Sequence, residues 1–153
     1  MRKRIISDEG RATQEHWLDT ATVGEVEITS EDVAHPIESA LTGEGSGWRA
    51  SSPGEQTIRL LFDHPLTLRR IHIRFDEERA PRTQEFVLRW SPDGGRSYRD
   101  IVRQQFTFSP PGTTRELEDY VVELSCVTAL ELQIVPDIAR GAAHASLREL
   151  RLA

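Results

Sequence analysis

The side chains best suited to bind a ligand are arginines and histidines in polar segments predicted to be loops. The loops are residues 31–36, 76–83 and 136–144, and their basic side chains are His35, Arg79, Arg82, Arg140 and His144. Arg79 and Arg82 flank Pro81, which restricts the backbone between two planar guanidinium groups. Such groups recognise carboxylates and phosphates through paired hydrogen bonds, so these five basic residues are the predicted ligand-binding set. The alternative is that Glu77 and Glu78 neutralise the two arginines in solvent.

Residue types that could perform catalysis are scattered along the chain. The five histidines are at positions 16, 35, 64, 72 and 144, and no two of them have the spacing of metal ligands. The single thiol, Cys126, is predicted to be buried in an apolar strand, and a nucleophilic role is the alternative. The motifs of nucleophile elbows, phosphate-binding loops, dinucleotide-binding turns and zinc proteases do not occur. The chain is therefore predicted not to be an enzyme.

Composition restricts the partners and the compartment. The 153 residues are 37% hydrophobic and 29% charged, which suits one globular domain. The formal net charge of −6 disfavours binding to nucleic acid or to an anionic membrane. No apolar run approaches the roughly 18 residues that span a bilayer. The basic residues 2–4 are followed by acidic residues 8 and 9 rather than by a signal-peptide core, so the predicted location is the cytoplasm.

Alternating hydrophobic residues predict a series of short strands that would hold these loops in place. Phe86, Leu88 and Trp90, for example, share one face of a strand in which Arg89 faces the other way. The further predicted strands are residues 24–28, 57–62, 66–75, 98–102, 105–108, 120–124, 130–134 and 146–152, with a turn at 63–65, a bulge near 69–70 and a helical turn at 36–41. A helix over residues 114–124 is the alternative to a strand there.

This spacing of strands and of glycine and proline turns predicts an all-β fold. The expected architecture is an antiparallel β-sandwich or jelly roll of about eight strands. Residues 1–22 are predicted to form a polar N-terminal arm whose Trp17 packs onto the body, and residues 23–153 form the sandwich domain. Trp48 follows a glycine-rich loop and is predicted, like Trp90, to lie in the core.

Three segments in order resemble the discoidin or coagulation-factor type C domains of the galactose-binding-like superfamily. They are residues 40–48 (Ala-Leu-Thr-Gly-Glu-Gly-Ser-Gly-Trp), residues 86–94 with their Trp-Ser-Pro-Asp-Gly hairpin, and the closing residues 145–150. The resemblance covers about residues 24–152 and implies a β-sandwich that binds its ligand through loops at one end. Residues 30–35, 48–50 and 54–58 also resemble the N-terminal domain of eukaryotic single-strand-break repair scaffolds, which is a protein-interaction module.

The same resemblance implies a calcium site, because many relatives hold a structural calcium ion between the first loop and the closing strand. Carried over to this chain, the ligands are the Leu41 carbonyl, Glu44, Ser46 and Glu149. Thr42 replaces the aspartate of the family, which removes an anionic oxygen from a cation that needs six to eight oxygens. The site is therefore predicted to be weak or vestigial, with no cofactor required. The alternative is that Glu149 accepts a loop N–H or pairs with an arginine.

These observations favour a non-catalytic recognition module, and two ligand classes stay open. An intracellular protein-interaction domain is the preferred interpretation, because the sequence offers neither a catalytic constellation nor a cysteine pair. A module that binds a galactose-type glycan is the alternative, although sugar sites usually present an exposed aromatic ring and the three loops contain none. Recognition of nicked DNA is less favoured because the chain is acidic.

Overall fold

The computed structural model describes residues 17–153, and most of these residues form antiparallel strands. The strands are β1 (Val23–Ile28), β2 (Trp48–Pro53), β3 (Gln56–Asp76), β4 (Arg82–Ser91), β5 (Arg99–Phe108), β6 (Arg115–Val135), β7 (His144–Leu147) and β8 (Glu149–Leu152). A 3-10 turn (Thr20–Thr22) precedes β1, and the short helix α1 (Ile37–Thr42) follows it. Within these residues, no helix has the length and apolar character needed to cross a membrane. The predicted all-β antiparallel sandwich is confirmed.

Two long strands organise the sandwich. The main sheet has the order β1-β3-β6-β4-β5, with β8 also paired to β3, and β2 pairs with β7 in a separate ribbon. Residues 56–61 of β3 pair with residues 129–134 of β6, and residues 66–76 pair with residues 115–127. β4 joins only the last part of β6, whereas β8 joins only the second part of β3. The two halves of each long strand therefore pair with different neighbouring strands, and both halves pack on the same core.

The long strands correct two sequence predictions. The predicted turn at residues 63–65 is wrong, because β3 runs through them in extended conformation. Pro65 fits there because it lies in a break of the β3–β6 register, where no ladder hydrogen bond needs its missing N–H. The predicted strands 120–124 and 130–134 are likewise parts of one strand, β6, and the helical alternative for 114–124 is wrong.

The bend in β6 explains why Cys126 is exposed instead of buried as predicted. Cys126 has a φ of 58°, in the left-handed region, between the two halves of the strand. That conformation interrupts the alternation, so Ser125 and Cys126 are both exposed before Val127 returns to the core. The matching irregularity in β3 is the predicted bulge, which the register shift between Leu68 and Arg70 confirms.

The core contains the residues whose alternation predicted it. Phe86, Leu88 and Trp48 are at most 1% exposed, and Trp90 is 9% exposed. The rings of Phe75 and Phe86 lie 5.3 Å apart in a tilted arrangement, which joins β3 to β4 across the interior. The buried Trp48 satisfies its indole N–H by donating to the Ser30 carbonyl at 3.1 Å.

Trp17 packs onto the sheet, as predicted for the arm. Its ring lies 5.9 Å from that of His72 and 5.0 Å from the Arg70 guanidinium. The Leu18 amide donates to the Leu152 carbonyl at 2.7 Å, so residues 17 and 18 run along the end of β8. Residues 1–16 of the predicted arm lie outside the described residues, and the division at residue 22 stays a prediction.

Candidate ligand-binding cleft

The predicted loops meet at one end of the sandwich around two adjoining clefts. The first, of about 380 Å³, is lined by His35, Arg49, Arg79 and Arg148 together with acidic residues of the loop after β3. The second, of about 340 Å³, shares Arg49 and Arg79 with the first and adds His144. We call the two together the loop-end cleft. It places six basic residues around one concave surface, in a chain whose formal net charge is −6, namely His35, Arg49, Arg79, Arg82, His144 and Arg148.

A glycine allows two backbone segments to approach closely in the wall of the cleft. Gly47 has a φ of 84°, and a Cβ atom there would lie 2.5 Å from the Leu147 carbonyl oxygen and 2.8 Å from the Arg148 Cα. No other residue type fits this approach, because both contacts are to rigid backbone. The loop after α1 therefore rests directly against the connection between β7 and β8, and Arg148 stands beside that loop.

Among the arginines at the cleft, Arg148 most clearly lacks a hydrogen-bond partner. Its backbone N–H donates to the Arg74 carbonyl at 2.9 Å, which fixes the residue against β3. Its Nη1 atom is buried and forms no hydrogen bond within residues 17–153. A buried cationic donor without an acceptor costs free energy. Arg148 as a whole is half-buried and lines the cleft, so an anionic group bound to the accessible part of its guanidinium would offset part of this cost, which makes Arg148 a ligand-binding candidate.

Two further arginines at the cleft have guanidinium groups free of salt bridges among the described residues. Arg49 lies on β2, where its backbone N–H donates to the His35 carbonyl at 3.2 Å. Arg79 is exposed, and its backbone N–H donates to Glu77 Oε2 at 3.0 Å. Both backbones are therefore held while the cationic groups stay available, an arrangement suited to binding carboxylates.

Arg82 plays a different part, because its side chain is only 3% exposed. Its Nε donates to Glu77 Oε1 at 2.7 Å, its Nη1 donates to the Pro136 carbonyl at 2.6 Å, and its guanidinium lies 4.8 Å from the centre of the Phe108 ring. Burial opposes ionisation of Glu77, yet the hydrogen bonds from Arg82 and from the Arg79 amide hold the pKa of Glu77 below its ordinary value. Arg82 thus joins two loops beneath the cleft.

The remaining predicted residues lie at the cleft and next to it. His35 Nδ1 is 3.0 Å from Asp32 Oδ2, and this contact, with the Ala34 amide, lowers the pKa of Asp32. Arg140, with a φ of 66°, lines a neighbouring cleft that meets the loop-end cleft at Asp137 and Ala143. The structure therefore gathers His35, Arg79, Arg82 and His144 at the loop-end cleft and places Arg140 in the neighbouring cleft. A ligand-binding role for these residues stays a prediction.

The sequence reasoning missed Arg49 and Arg148 because neither belongs to the three predicted binding loops: Arg148 is part of the predicted strand 146–152, and Arg49 follows the glycine-rich loop that ends at Trp48. Arg49 is the second residue of β2, and Arg148 separates β7 from β8. A signal was available, since residues at strand ends face the same rim as the loops they continue into. A search for basic residues within two positions of the glycine-rich loop would have found Arg49, whereas Arg148 lies four positions beyond the nearest predicted loop.

The residues that the resemblance assigns to calcium lie beside an arginine, and the weak or vestigial calcium site stays a prediction. Glu149 Oε1 lies near Gly43, 3.3 Å from the position of a Cβ atom built there, and Arg151 Nη1 lies 3.1 Å from the same point. Arg151 also donates to the Thr42 carbonyl at 2.8 Å. The positive charge of this guanidinium repels a second cation at the loop. Among residues 17–153, no three His, Cys, Asp or Glu side chains are grouped to hold a metal ion.

Comparison with known proteins gives structural matches only. No protein-family model matches the chain, and no curated protein matches it. The family 32 carbohydrate-binding module of C. perfringens NanJ in complex with galactose has a TM-score of 0.66 at 12% identity, covering 89% of this chain and 96% of that one. The family 32 module of AlyQ in complex with 4,5-unsaturated mannuronic acid has a TM-score of 0.64 at 17% identity, covering 91% and 98%.

A third similar structure comes from DNA repair. The N-terminal domain of the single-strand break repair protein XRCC1 has a TM-score of 0.61 at 16% identity, covering 86% of this chain and 96% of that domain. All three structures have galactose-binding-like, discoidin-type folds. The chain therefore has the galactose-binding-like fold, as the resemblance predicted. At these identities the likeness concerns the fold only.

Proposed function

We propose that the protein is a non-catalytic recognition module that binds a carboxylate-bearing saccharide in the loop-end cleft. The observation that carries the proposal is the buried Nη1 of Arg148, which has no acceptor within the described residues. Arg49 and Arg79 line the same cleft without salt bridges of their own, so three guanidinium groups are available for one anionic ligand. Paired hydrogen bonds from guanidinium to carboxylate are strong and directional, and they give such a ligand a defined orientation.

An acidic sugar also suits the rest of the cleft. Trp48 lies in its wall but is 1% exposed and donates to the Ser30 carbonyl, so the ligand is not held on a stacked ring. The exposed Glu78 and the half-buried His35 can instead bond to sugar hydroxyls. Solved modules of this fold in complex with galactose and with 4,5-unsaturated mannuronic acid support the choice of a saccharide.

A protein ligand is the second candidate, and a different observation favours it. Val33 is 97% exposed in the loop that carries His35, and Ile138 is 46% exposed in the loop that carries His144. Apolar side chains on the rim of a basic cleft suit an acidic peptide. The fold shared with the XRCC1 domain agrees with this candidate. The acidic net charge opposes nucleic acid, and a cytoplasmic location stays a prediction.

Calorimetric titration of the full chain separates the two candidates. The three probes are trigalacturonate, the uncharged galactotriose of matched length, and triglutamate, which offers carboxylates on a peptide. We expect trigalacturonate to bind at least tenfold more tightly than either of the others, because only it combines carboxylates with sugar hydroxyls. Equal binding of galactotriose, tighter binding of triglutamate, or no binding of trigalacturonate would each contradict the proposal.

A further inference from the structure

Arg151 ties the last strand to the end of α1. It lies on β8 opposite His72 of β3, and its Nη1 donates to the Thr42 carbonyl at 2.8 Å. Thr42 is the last residue of the helix, so this carbonyl belongs to the group that lacks an intrahelical partner. The guanidinium also lies 5.9 Å from the centre of the Trp17 ring. Arg151 therefore links the helix end, β8 and the segment at Trp17.

The turn after the helix closes around this arginine. Gly43 has a φ of 75°, which favours glycine, and the position of its missing Cβ is 3.1 Å from Arg151 Nη1 and 3.3 Å from Glu149 Oε1. The turn thus faces an acidic and a basic side chain that both project from β8. These two residues border the place where the resemblance puts a calcium ion.

The loop also satisfies its own polar groups from within. The Ser39 hydroxyl donates to the Glu44 carbonyl and accepts from the Gly47 amide at 2.9 Å. The Glu44 amide donates to the Thr42 hydroxyl at 3.3 Å. Two carbonyl oxygens of the loop, those of residues 42 and 44, therefore already face donors of this chain. A calcium ion at this turn would therefore approach the positive guanidinium that already binds the Thr42 carbonyl, and the two charges would repel each other.

We propose that the guanidinium of Arg151 supplies the positive charge at the loop formed by residues 42–47 and takes the place of a calcium ion there. Arg151 is then a positioning residue: it holds the turn whose Gly45 and Ser46 line the loop-end cleft. The loop takes its shape at any calcium concentration. This inference is independent of the ligand proposed for the cleft, since it concerns the wall and not the ligand.

Thermal unfolding of the full chain with and without calcium tests the inference. The melting temperature of the natural protein is expected to be the same within about 1 °C in EDTA and in 10 mM calcium chloride. Arg151→Gln is expected to lower it by about 3–6 °C in both buffers, because the charged hydrogen bond to the carbonyl at the end of the helix is lost. Arg69→Gln is the matched control, since Arg69 is exposed on the neighbouring strand and its side chain contacts no residue of this loop.

A variant with a restored calcium site sharpens the test. The double substitution Thr42→Asp and Arg151→Ser returns a carboxylate to the turn and removes the competing cation. Its melting temperature is expected to rise with the logarithm of the calcium concentration, whereas magnesium at the same concentration has a smaller effect. Calcium-dependent stabilisation of the natural protein would overturn the inference. So would an Arg151→Gln variant as stable as the Arg69→Gln control, because the arginine would then not hold the loop.

Discussion

Replacing Glu116 by glutamine is expected to raise the free energy of unfolding at pH 7 by up to about 3 kcal/mol. Glu116 is 1% exposed on β6, where its Oε1 accepts a hydrogen bond from Gln84 Nε2 at 3.3 Å and its Oε2 has no partner within the described residues. Burial, followed by the nearby Glu118 carboxylate, raises the pKa of Glu116 to about 8. The folded protein must therefore keep a proton that the unfolded chain releases near its ordinary value of 4.5.

The sign of the pH dependence follows from this retained proton. Below the unfolded pKa, Glu116 is protonated in both states and contributes no difference. As the pH rises from about 4.5 to about 8, the folded state binds more protons than the unfolded state, so the free energy of unfolding falls. Above the folded-state pKa of about 8, Glu116 is ionised in both states and the free energy of unfolding falls no further from this cause. Glutamine carries no proton to lose, which removes this part of the slope and keeps the acceptor for Gln84.

Urea denaturation at pH 5, 7 and 8.5 measures the effect. The gain in the Glu116→Gln variant is expected to be small at pH 5 and to grow through pH 7 to its largest value at pH 8.5. Glu123→Gln on the same strand is the control, because Glu123 is exposed and its substitution removes a charge from solvent only. Parallel stability curves for the natural protein and the Glu116→Gln variant would show that Glu116 does not retain a proton on folding.

Replacing Arg148 by methionine is expected to weaken binding of trigalacturonate by about 10- to 100-fold. Methionine keeps much of the apolar stem and removes the guanidinium whose buried Nη1 lacks an acceptor. Because that donor forms no hydrogen bond in the free protein, its removal is expected to leave the melting temperature unchanged or slightly higher. Weaker binding without lower stability is the mark of a residue kept for its ligand.

The control for Arg148 is Arg69→Met. Arg69 is exposed on β3 and lines neither part of the loop-end cleft, so its replacement is expected to change the affinity for trigalacturonate less than threefold. Calorimetry gives the affinity of each variant, and thermal unfolding gives its stability. A large loss of stability in Arg148→Met would instead assign this arginine a structural role, as the contacts of Arg82 indicate for that residue.

Alternation of side chains predicted most of the fold because each strand buries one face. Phe86, Leu88 and Trp90 are examples, and all three lie in the core. Strand continuity was harder to predict, because a proline and a left-handed residue interrupt the alternation without ending the strand. Pro65 lies in a register break of β3, and Cys126 lies at the bend of β6. Each disturbs the local alternation of side chains, but the strand continues on both sides of it.

The candidate site was predictable only in part, since its residues meet through contacts distant in sequence. His35 and Arg79 lie in loops and His144 begins β7 directly after a loop, and the position of these loops at one end followed from the fold. The burial of Arg82 depends on the Phe108 ring and on the Pro136 carbonyl, neither of which is near it in the chain. The free Nη1 of Arg148 depends equally on packing. Sequence spacing carries no information on such contacts.

Nuclear magnetic resonance of the arginine Nε–Hε groups during titration with trigalacturonate tests the location of the site most directly. The signals of Arg49, Arg79 and Arg148 are expected to move together and to saturate at one ligand concentration. Those of Arg59 and Arg89, which are paired with Glu131 on the outer face of the sheet, are expected to stay in place. Movement of the Arg59 and Arg89 signals, with those of the cleft unchanged, would contradict the account.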